Sequence, residues 1–183
     1  MDIRIVTLTA EVRLEEYVKG YVDVERFEAC CARCRGWGRT WACPPYDFDP
    51  MEIWKSYGSI LLYAKKVTLP DEAVDEEHSG EELARIYNEL LAPVKRELLG
   101  ELFTLERETP GSLALSAGGC DICSTCTRGE GLPCRAPDRM RYSVESIGGD
   151  VLKSIRDFMD EEVLWAENGH LPRHYILLGG LLK

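Results

Sequence analysis

The sequence lacks any apolar run of the roughly 18–20 residues that crosses a bilayer, so a membrane-spanning protein is not expected. The first seventeen residues lack the acid-free character of a signal or transit peptide, because they include Glu11, Glu15 and Glu16. Basic residues are outnumbered: 22 Lys and Arg face 32 Asp and Glu, which gives a net charge of −10. Nonspecific nucleic-acid binding depends on Lys and Arg contacts to phosphate and is therefore disfavoured. We expect a cytoplasmic protein with neither a membrane nor a nucleic acid as partner.

Cysteine is absent from most of the chain, with none before residue 30, between residues 43 and 120, or after residue 134. A disulfide scaffold spreads its cysteines through a smaller secreted chain. Close CxxC spacing instead lets two thiolates bind one ion or cluster from a tight loop. The pattern therefore predicts metal or cluster binding. The candidate ligands are Cys30, Cys31, Cys34 and Cys43 in the first segment, and Cys120, Cys123, Cys126 and Cys134 in the second.

The second segment, GGCDICSTCTRGEGLPCRAP, has the spacing C-x2-C-x2-C-x7-C. Three closely spaced cysteines followed by a more distant fourth are typical of loops that wrap a [4Fe–4S] cluster. Structural zinc more often takes two CxxC pairs separated by a longer spacer. Gly118 and Gly119 let the backbone turn closely into the site and leave N–H groups to point at sulfur. This spacing favours an iron–sulfur cluster, with zinc as the alternative.

The first segment, CCARCRGWGRTWACPPY, places Cys31, Cys34 and Cys43 in a C-x2-C-x8-C pattern before two prolines. A proline after a cluster cysteine also occurs in bacterial ferredoxins. Adjacent side chains on an extended backbone point to opposite faces, so Cys30 and Cys31 are not expected to reach one centre unless the chain turns sharply. Either Cys30 is a small buried residue beside a three-thiolate site, or a ligand from elsewhere closes the site. A three-thiolate cluster would leave one iron open to substrate.

Taken together, the two motifs resemble a cysteine-rich family of predicted metal-binding proteins, a domain of unknown function met in anaerobic bacteria and archaea. The resemblance covers roughly residues 25–155, and the order and spacing agree across both motifs. It implies metal binding without an established reaction, and Cys30 is not part of the pattern. The matching residues are Cys31, Cys34, Gly38, Trp41, Cys43, Pro44, Pro45, Gly119, Cys120, Cys123, Cys126, Cys134, Arg135, Pro137, Arg141, Ser143, Glu145, Gly149, Asp150 and Val151.

The rest of the chain alternates between strand and helix patterns. Alternating and β-branched residues predict strands over 2–9, 59–68, 112–117 and 174–183. Helical spacing predicts helices over 11–21 and 49–57, and one or two helices over 143–159 interrupted at Gly148–Gly149. A long helix is predicted to start at a capping box of Ser79 and Glu82, to kink or split at Pro93, and to end at Pro110. The acidic segment 71–80 is expected to be a solvated loop.

These elements predict one domain over residues 1–183 of the α/β (α+β) class. It would contain a mixed β-sheet with packed helices and two cysteine-rich metal-binding loops. Both cysteine segments follow elements of a single core, so we expect them at one edge of that core.

Other polar and aromatic residues have plainer explanations. His170 and His174 are separated by Pro172 and are expected at the surface or in the core rather than at a metal. Glu145 and Asp150 are candidate acid/base groups, but helix capping and pairing with Arg141 explain them better. The aromatic residues near the first motif are expected to shield the site and complete the core; they are Trp37, Trp41, Tyr46, Phe48 and Trp54.

Three functions remain open. The first is an iron–sulfur protein with one or two [4Fe–4S] clusters, acting in electron transfer or as a redox accessory protein of anaerobic metabolism, with a redox partner protein. Its cluster ligands would be Cys31, Cys34, Cys43, Cys120, Cys123, Cys126 and Cys134. The second is an iron–sulfur enzyme with an open iron at the three-cysteine site that acts on a small substrate. The third is a structural zinc protein that mediates partner binding. Whether the protein is an enzyme, and its oligomeric state, stay open.

Overall fold

The computed structural model describes residues 2–183. In chain order the elements are β1 (Arg4–Arg13), α1 (Leu14–Tyr21), α2 (Val24–Cys31), α3 (Met51–Lys55), β2 (Ser59–Thr68), α4 (Asp71–Asp75), α5 (Gly80–Glu108), β3 (Leu113–Leu115), α6 (Val151–Met159) and β4 (His174–Leu182). Two 3₁₀ helices, Thr127–Glu130 and Glu145–Ile147, lie in the segments between them. The four strands form one sheet in the order β1-β2-β4-β3, with helices packed against it. The predicted α/β fold is confirmed.

The sheet differs in detail from the mixed sheet that we expected. The ladders β1–β2, β2–β4 and β4–β3 are all antiparallel. Parallel pairing within residues 2–183 is limited to an isolated bridge between Ser116 and Ser143. The last strand, β4, lies between β2 and β3, so the chain returns to the middle of the sheet after both cysteine segments.

Strand β2 shows why the sheet has a core on both faces. Because side chains alternate along a strand, Ile60 and Leu62 face one side, where they pack with Trp54 of α3. Leu61 and Tyr63 face the other side and pack on the cluster that contains Leu98 and Leu102 of α5. Helices therefore cover both faces of the sheet.

Helix α5 begins as predicted at a complete capping box. The Ser79 hydroxyl accepts from the Glu82 N–H, and the Glu82 carboxylate accepts from the Ser79 N–H. The predicted split at Pro93 is wrong, because one helix runs from Gly80 to Glu108. Buried residues lie on both sides of the proline, at Leu91 and Val94. Their packing against neighbouring segments holds the helix together where one backbone hydrogen bond is lost.

Several boundaries differ from expectation. Residues 11–13 continue β1 rather than starting a helix, because they pair with residues 59–61 of β2. The expected loop over 71–80 contains the short helix α4, and α2 was not predicted at all. Strand β3 has three residues rather than six. Within residues 2–183, no helix has the length and hydrophobicity needed to cross a membrane.

Gly179 allows the close approach of β4 to β3 and α5. A Cβ at this position would lie 2.6 Å from the Leu115 carbonyl oxygen and 2.8 Å from Leu102 Cδ1. We expect Gly179→Ala to lower the free energy of unfolding by about 1–3 kcal/mol through overpacking. The control Gly100→Ala lies in α5 with nothing within 4 Å, and should raise that free energy by about 0.5–1 kcal/mol. Urea denaturation measures both, and equal stability of the two variants would contradict the prediction.

Candidate metal centre

Helix α2 carries the first two cysteines and is held in place by a close contact to the segment before α6. Gly148 has a φ of +94°, and a Cβ on it would lie 2.7 Å from the Cα of Val24. Beside this contact, the Asp23 N–H donates to the Gly148 carbonyl oxygen at 2.8 Å. The Asp23 side chain also accepts from the Arg26 N–H and caps the helix. Glycine is therefore needed at position 148 to hold α2 against this segment.

The loop after α2 folds back so that the thiols of Cys34 and Cys43 face the same glycine. A Cβ on Gly36 would lie 3.0 Å from the Cys43 sulfur and 3.9 Å from the Cys34 sulfur. The Cys34 N–H donates to the Cys31 carbonyl oxygen, which continues the turn at the end of α2. The structure thus brings together three of the predicted ligands, Cys31, Cys34 and Cys43, and we call them the first cysteine group.

Two expectations for Cys30, an extended backbone and a buried side chain, are wrong. It lies on a helix rather than on an extended backbone, so its side chain is not opposite that of Cys31. It is also exposed rather than a small buried residue, whereas Cys31 is half-buried. A ligand role for Cys30 stays a prediction.

Two thiols of the first cysteine group, those of Cys31 and Cys43, have raised pKa values. Burial raises the pKa of Cys31 to about 11, and the negative charges of Glu145, Cys43, Cys34 and Cys30 add to the rise. Burial also raises the pKa of Cys43, while a hydrogen bond from Thr40 opposes the rise. The Thr40 hydroxyl is buried and has no hydrogen-bond partner within ordinary distance limits among residues 2–183, so its contact with the Cys43 sulfur is a long one. A bound cation would favour the thiolate forms of Cys31 and Cys43, because it opposes the effect of burial on their pKa values.

The second cysteine group surrounds a single small cavity. Cys120, Cys123, Cys126 and Cys134 all line it and are all half-buried. Cys120 follows the turn after β3, and Cys126 immediately precedes the 3₁₀ helix Thr127–Glu130. The structure thus places the four predicted ligands around one cavity, and their role as metal ligands stays a prediction.

Two backbone N–H groups point at sulfur in the second group. The Ala136 N–H donates to the Cys134 sulfur at 3.4 Å. Burial raises the pKa of Cys120, and the Ile122 N–H lowers it by donating to the sulfur. In each pair the donor lies two residues after the cysteine. These donors are therefore not the N–H groups of Gly118 and Gly119 that we expected. Hydrogen bonds of this kind stabilise thiolates and tune a bound metal.

Arg128 joins the two cysteine segments. Its guanidinium donates to the Thr40 carbonyl oxygen at 2.8 Å and also to the carbonyl oxygens of Cys43 and Pro45. Three carbonyl groups of the first loop thus meet one cation from the second. The sequence did not single out this arginine, because the carbonyls that it binds are more than 80 residues away.

Trp41 and Gly119 complete the contact between the two groups. The Trp41 indole donates to the Leu132 carbonyl oxygen at 3.1 Å, and its ring lines the cavity of the second group. A Cβ on Gly119 would lie 3.9 Å from the Cys43 sulfur, and Gly119 directly precedes Cys120. The expectation that both segments lie together is confirmed. Trp41 lies between the two groups rather than shielding the first alone.

The donor set suits a soft metal. Thiolates are the preferred ligands of zinc and of iron–sulfur clusters. Within residues 2–183, no three Cys, His, Asp or Glu side chains are close enough to hold one metal ion. In the second group the thiols surround a cavity instead of meeting at a point. The residues thus fit a thiolate-bound metal centre, with backbone donors already in place for the sulfurs of Cys120 and Cys134.

The remaining candidate residues have structural roles. Asp150 caps α6 through the Lys153 N–H, as expected. Both histidines bond to backbone carbonyls: His170 Nδ1 lies 3.2 Å from the Val74 oxygen, and His174 Nε2 lies 2.8 Å from the Glu162 oxygen. Trp54 belongs to the core. The proposed pairing of Arg141 with Glu145 is wrong.

Arg141 pairs instead with Glu106 of α5 and ties the segment after the second cysteine group to that helix. Two nitrogen–oxygen distances of 3.0 and 2.6 Å make the contact bidentate. Burial alone would raise the pKa of Glu106, but the hydrogen bonds from Arg141 and from the Ala114 N–H outweigh it and lower the pKa. The ionised pair therefore contributes stability above the unfolded-state pKa, about 4.3, and loses it as the pH falls through the folded-state value.

We expect Glu106→Gln to lower the free energy of unfolding by about 3 kcal/mol at neutral pH, because Arg141 loses its buried partner. The difference from the wild type should shrink as the pH falls from 7 to about 3, since Glu106 then becomes protonated in the wild type too. Urea denaturation across this range tests both points. The control is Glu108→Gln, at an exposed position in the same helix, and a pH-independent cost of Glu106→Gln would contradict the prediction.

Comparison with known proteins agrees with the cysteine pattern. No curated protein and no solved structure matches the chain. The model of one protein family matches residues 18–178, a range that includes both cysteine groups, Arg128 and most of the sheet. The chain therefore belongs to the family described as predicted metal-binding protein (DUF2284).

Proposed function

We propose that this metal-binding protein holds [4Fe–4S] clusters at its two cysteine groups and acts in electron transfer or as a redox accessory protein. The observation that carries the proposal is the contact between the groups. The Cys43 sulfur approaches the backbone next to Cys120, and Trp41 spans the two loops. A bound cluster supplies one-electron exchange through its thiolate ligands. Two such centres in contact would pass electrons between them within one chain.

The residues around the thiols support a cluster over a single zinc ion. The spacing C-x2-C-x2-C-x7-C of the second group favours a cluster, because structural zinc more often takes two CxxC pairs separated by a longer spacer. A cluster places iron atoms between the sulfurs, so its ligands stand further apart. The N–H groups of Ile122 and Ala136 and the hydroxyl of Thr40 would help to set its reduction potential.

A redox partner protein belongs to this proposal. Three arginines of the first loop, Arg33, Arg35 and Arg39, are exposed in the same loop as the exposed Cys34. The rest of the chain is acidic, so this basic loop would favour a partner with an acidic surface. Eight free thiols also fit the reducing cytoplasm that we propose as the location.

Metal analysis of protein purified without oxygen tests the proposal. We expect about eight iron and eight acid-labile sulfide per chain if both groups hold a [4Fe–4S] cluster. A brown colour that bleaches on reduction with dithionite would accompany them. Stoichiometric zinc without iron or sulfide would overturn the cluster proposal and favour a structural zinc protein that mediates partner binding.

A second candidate is an iron–sulfur enzyme with an open iron at the first group. It is favoured by the approach of the Cys34 and Cys43 sulfurs to Gly36, a contact in which Cys30 takes no part. Here Cys30→Ala should keep the iron content and the spectrum, whereas Cys43→Ala should lose the first cluster. Equal losses in the two variants would instead identify Cys30 as a fourth ligand.

A further inference from the structure

A cavity of about 440 Å³ lies beside the turn that leads into Cys120. It is bounded by α5, by β4 and by the Gly118–Gly119 turn. Most of its wall is apolar and is formed by Leu91, Ala92, Val151, Ile176 and Leu178. This volume and this lining are typical of sites for small organic molecules.

The polar groups of the cavity include Lys95, Asp121 and Glu145. The Lys95 ammonium already has two partners, because it donates to the Gly119 carbonyl oxygen and lies 3.4 Å from the Asp121 carboxylate. The charges of Lys95 and Asp121 therefore balance each other. Glu145 is then the acidic group left to meet a ligand.

The Glu145 carboxylate is fixed at the wall of the cavity. Burial raises its pKa, and hydrogen bonds from its own N–H, the Ser143 hydroxyl and the Gly118 N–H oppose the rise, as does the charge of Lys95. A Cβ on Gly118 would lie 4.0 Å from one of its oxygens. Within residues 2–183, no Lys, Arg or His nitrogen forms an ion pair with it at 4.0 Å or less. Lys95 therefore acts on this carboxylate only from beyond ion-pair distance, and its own close carboxylate partner is Asp121.

The charges around the cavity favour a cationic ligand. Two carboxylates and one ammonium line it. Glu145 also raises the pKa values of Cys31 and Cys43 through its charge, which places the first cysteine group within electrostatic range. A metal ion does not suit the cavity, because no three ligating side chains of the described residues meet in it.

We infer that this cavity binds a small aliphatic amine. The carbon chain of the ligand lies on the apolar wall of α5 and β4, and its ammonium group pairs with the Glu145 carboxylate. This site goes beyond electron transfer, since it places a small organic molecule next to the first cysteine group. The site is formed by the residues that line the cavity, and binding of the amine does not require a bound cluster.

Isothermal titration calorimetry of the full chain, purified without oxygen, tests the site with three probes of similar length: pentylamine, pentanoate and pentanol. We expect pentylamine to bind about tenfold or more tightly than the other two. Glu145→Gln should weaken its binding about tenfold or more, because the ion pair is lost. Ala92→Phe should also abolish binding, since it fills the cavity and leaves the carboxylate in place. The control is Glu89→Gln, an exposed carboxylate of α5 that pairs with Arg85.

The inference would be overturned if Glu145→Gln bound pentylamine as tightly as the wild type does. It would also be overturned if the wild type did not bind pentylamine, or if it preferred pentanoate or pentanol. Circular dichroism of Ala92→Phe and Glu145→Gln shows that each is folded, and the two variants remove binding by different routes. Iron and sulfide are measured on the same samples. Amine binding without iron would reject the cluster proposal alone, and iron without amine binding would reject the amine site alone.

Discussion

A Cys126→Ser variant purified without oxygen is expected to carry about half the metal of the wild type. Cys126 lines the cavity of the second group together with three other cysteines. Replacing its thiolate by a hydroxyl removes one of four soft ligands from that group. The first group keeps all of its thiols, so its metal should remain.

The matched control for this experiment is Ser124→Ala, an exposed position in the same loop, which should keep full metal content. Iron, sulfide and zinc are measured per chain for both variants. Loss of all metal from Cys126→Ser would show that the two groups share one centre, and full retention would show that Cys126 is not a ligand. Either outcome contradicts two separate thiolate sites.

Arg128→Met is expected to lower the free energy of unfolding of the metal-loaded protein by about 2–4 kcal/mol. The change removes the donor for three carbonyl oxygens of the first loop, and these groups then lie against an apolar side chain. It also removes the guanidinium that lies 5.3 Å from the Trp41 ring centroid. Since Arg128 lowers the pKa of Cys43, the variant should release metal to a chelator faster than the wild type.

Arg128→Lys separates the charge from the shape of the guanidinium. A single ammonium group keeps the charge but does not span three carbonyls in the fixed geometry of a guanidinium, so we expect an intermediate loss of stability. Arg135→Met is the control, because Arg135 lies in the same segment with one long hydrogen bond of 3.4 Å to the Thr125 carbonyl oxygen. Denaturation and chelator-release rates are compared for the three variants. Equal effects at positions 128 and 135 would show that Arg128 does not join the two loops.

Features with local signals were predicted well. Strand β2 occupies residues 59–68 as expected, because its apolar run is bounded by turn residues. The capping box at Ser79 and the break at Gly148–Gly149 also depend on neighbouring residues alone. The two cysteine groups were visible for the same reason, since each is defined by short spacing within one loop.

Features that depend on distant residues were not predictable in this way. Arg128 and the carbonyls that it binds are far apart in sequence. No short sequence motif therefore includes both partners of the contact. Lys65 lies in the strand as an apparent surface residue, yet its side chain is buried and pairs with Glu97 and Glu101 of α5. Helices α2 and α4 are only eight and five residues long, and tertiary packing rather than propensity decides such short elements.

Because β4 lies between β2 and β3, the sheet is completed only after this last strand has been synthesised. Within the sheet, β3 pairs with β4 alone, and β4 is made about 40 residues after Cys134, which is roughly 2–8 s of translation. During that interval all eight thiols are present on a chain whose second cysteine loop has no completed sheet beside it. If the two groups hold separate centres as proposed, metal that arrives in this interval meets thiols of both segments before β3 has its strand partner.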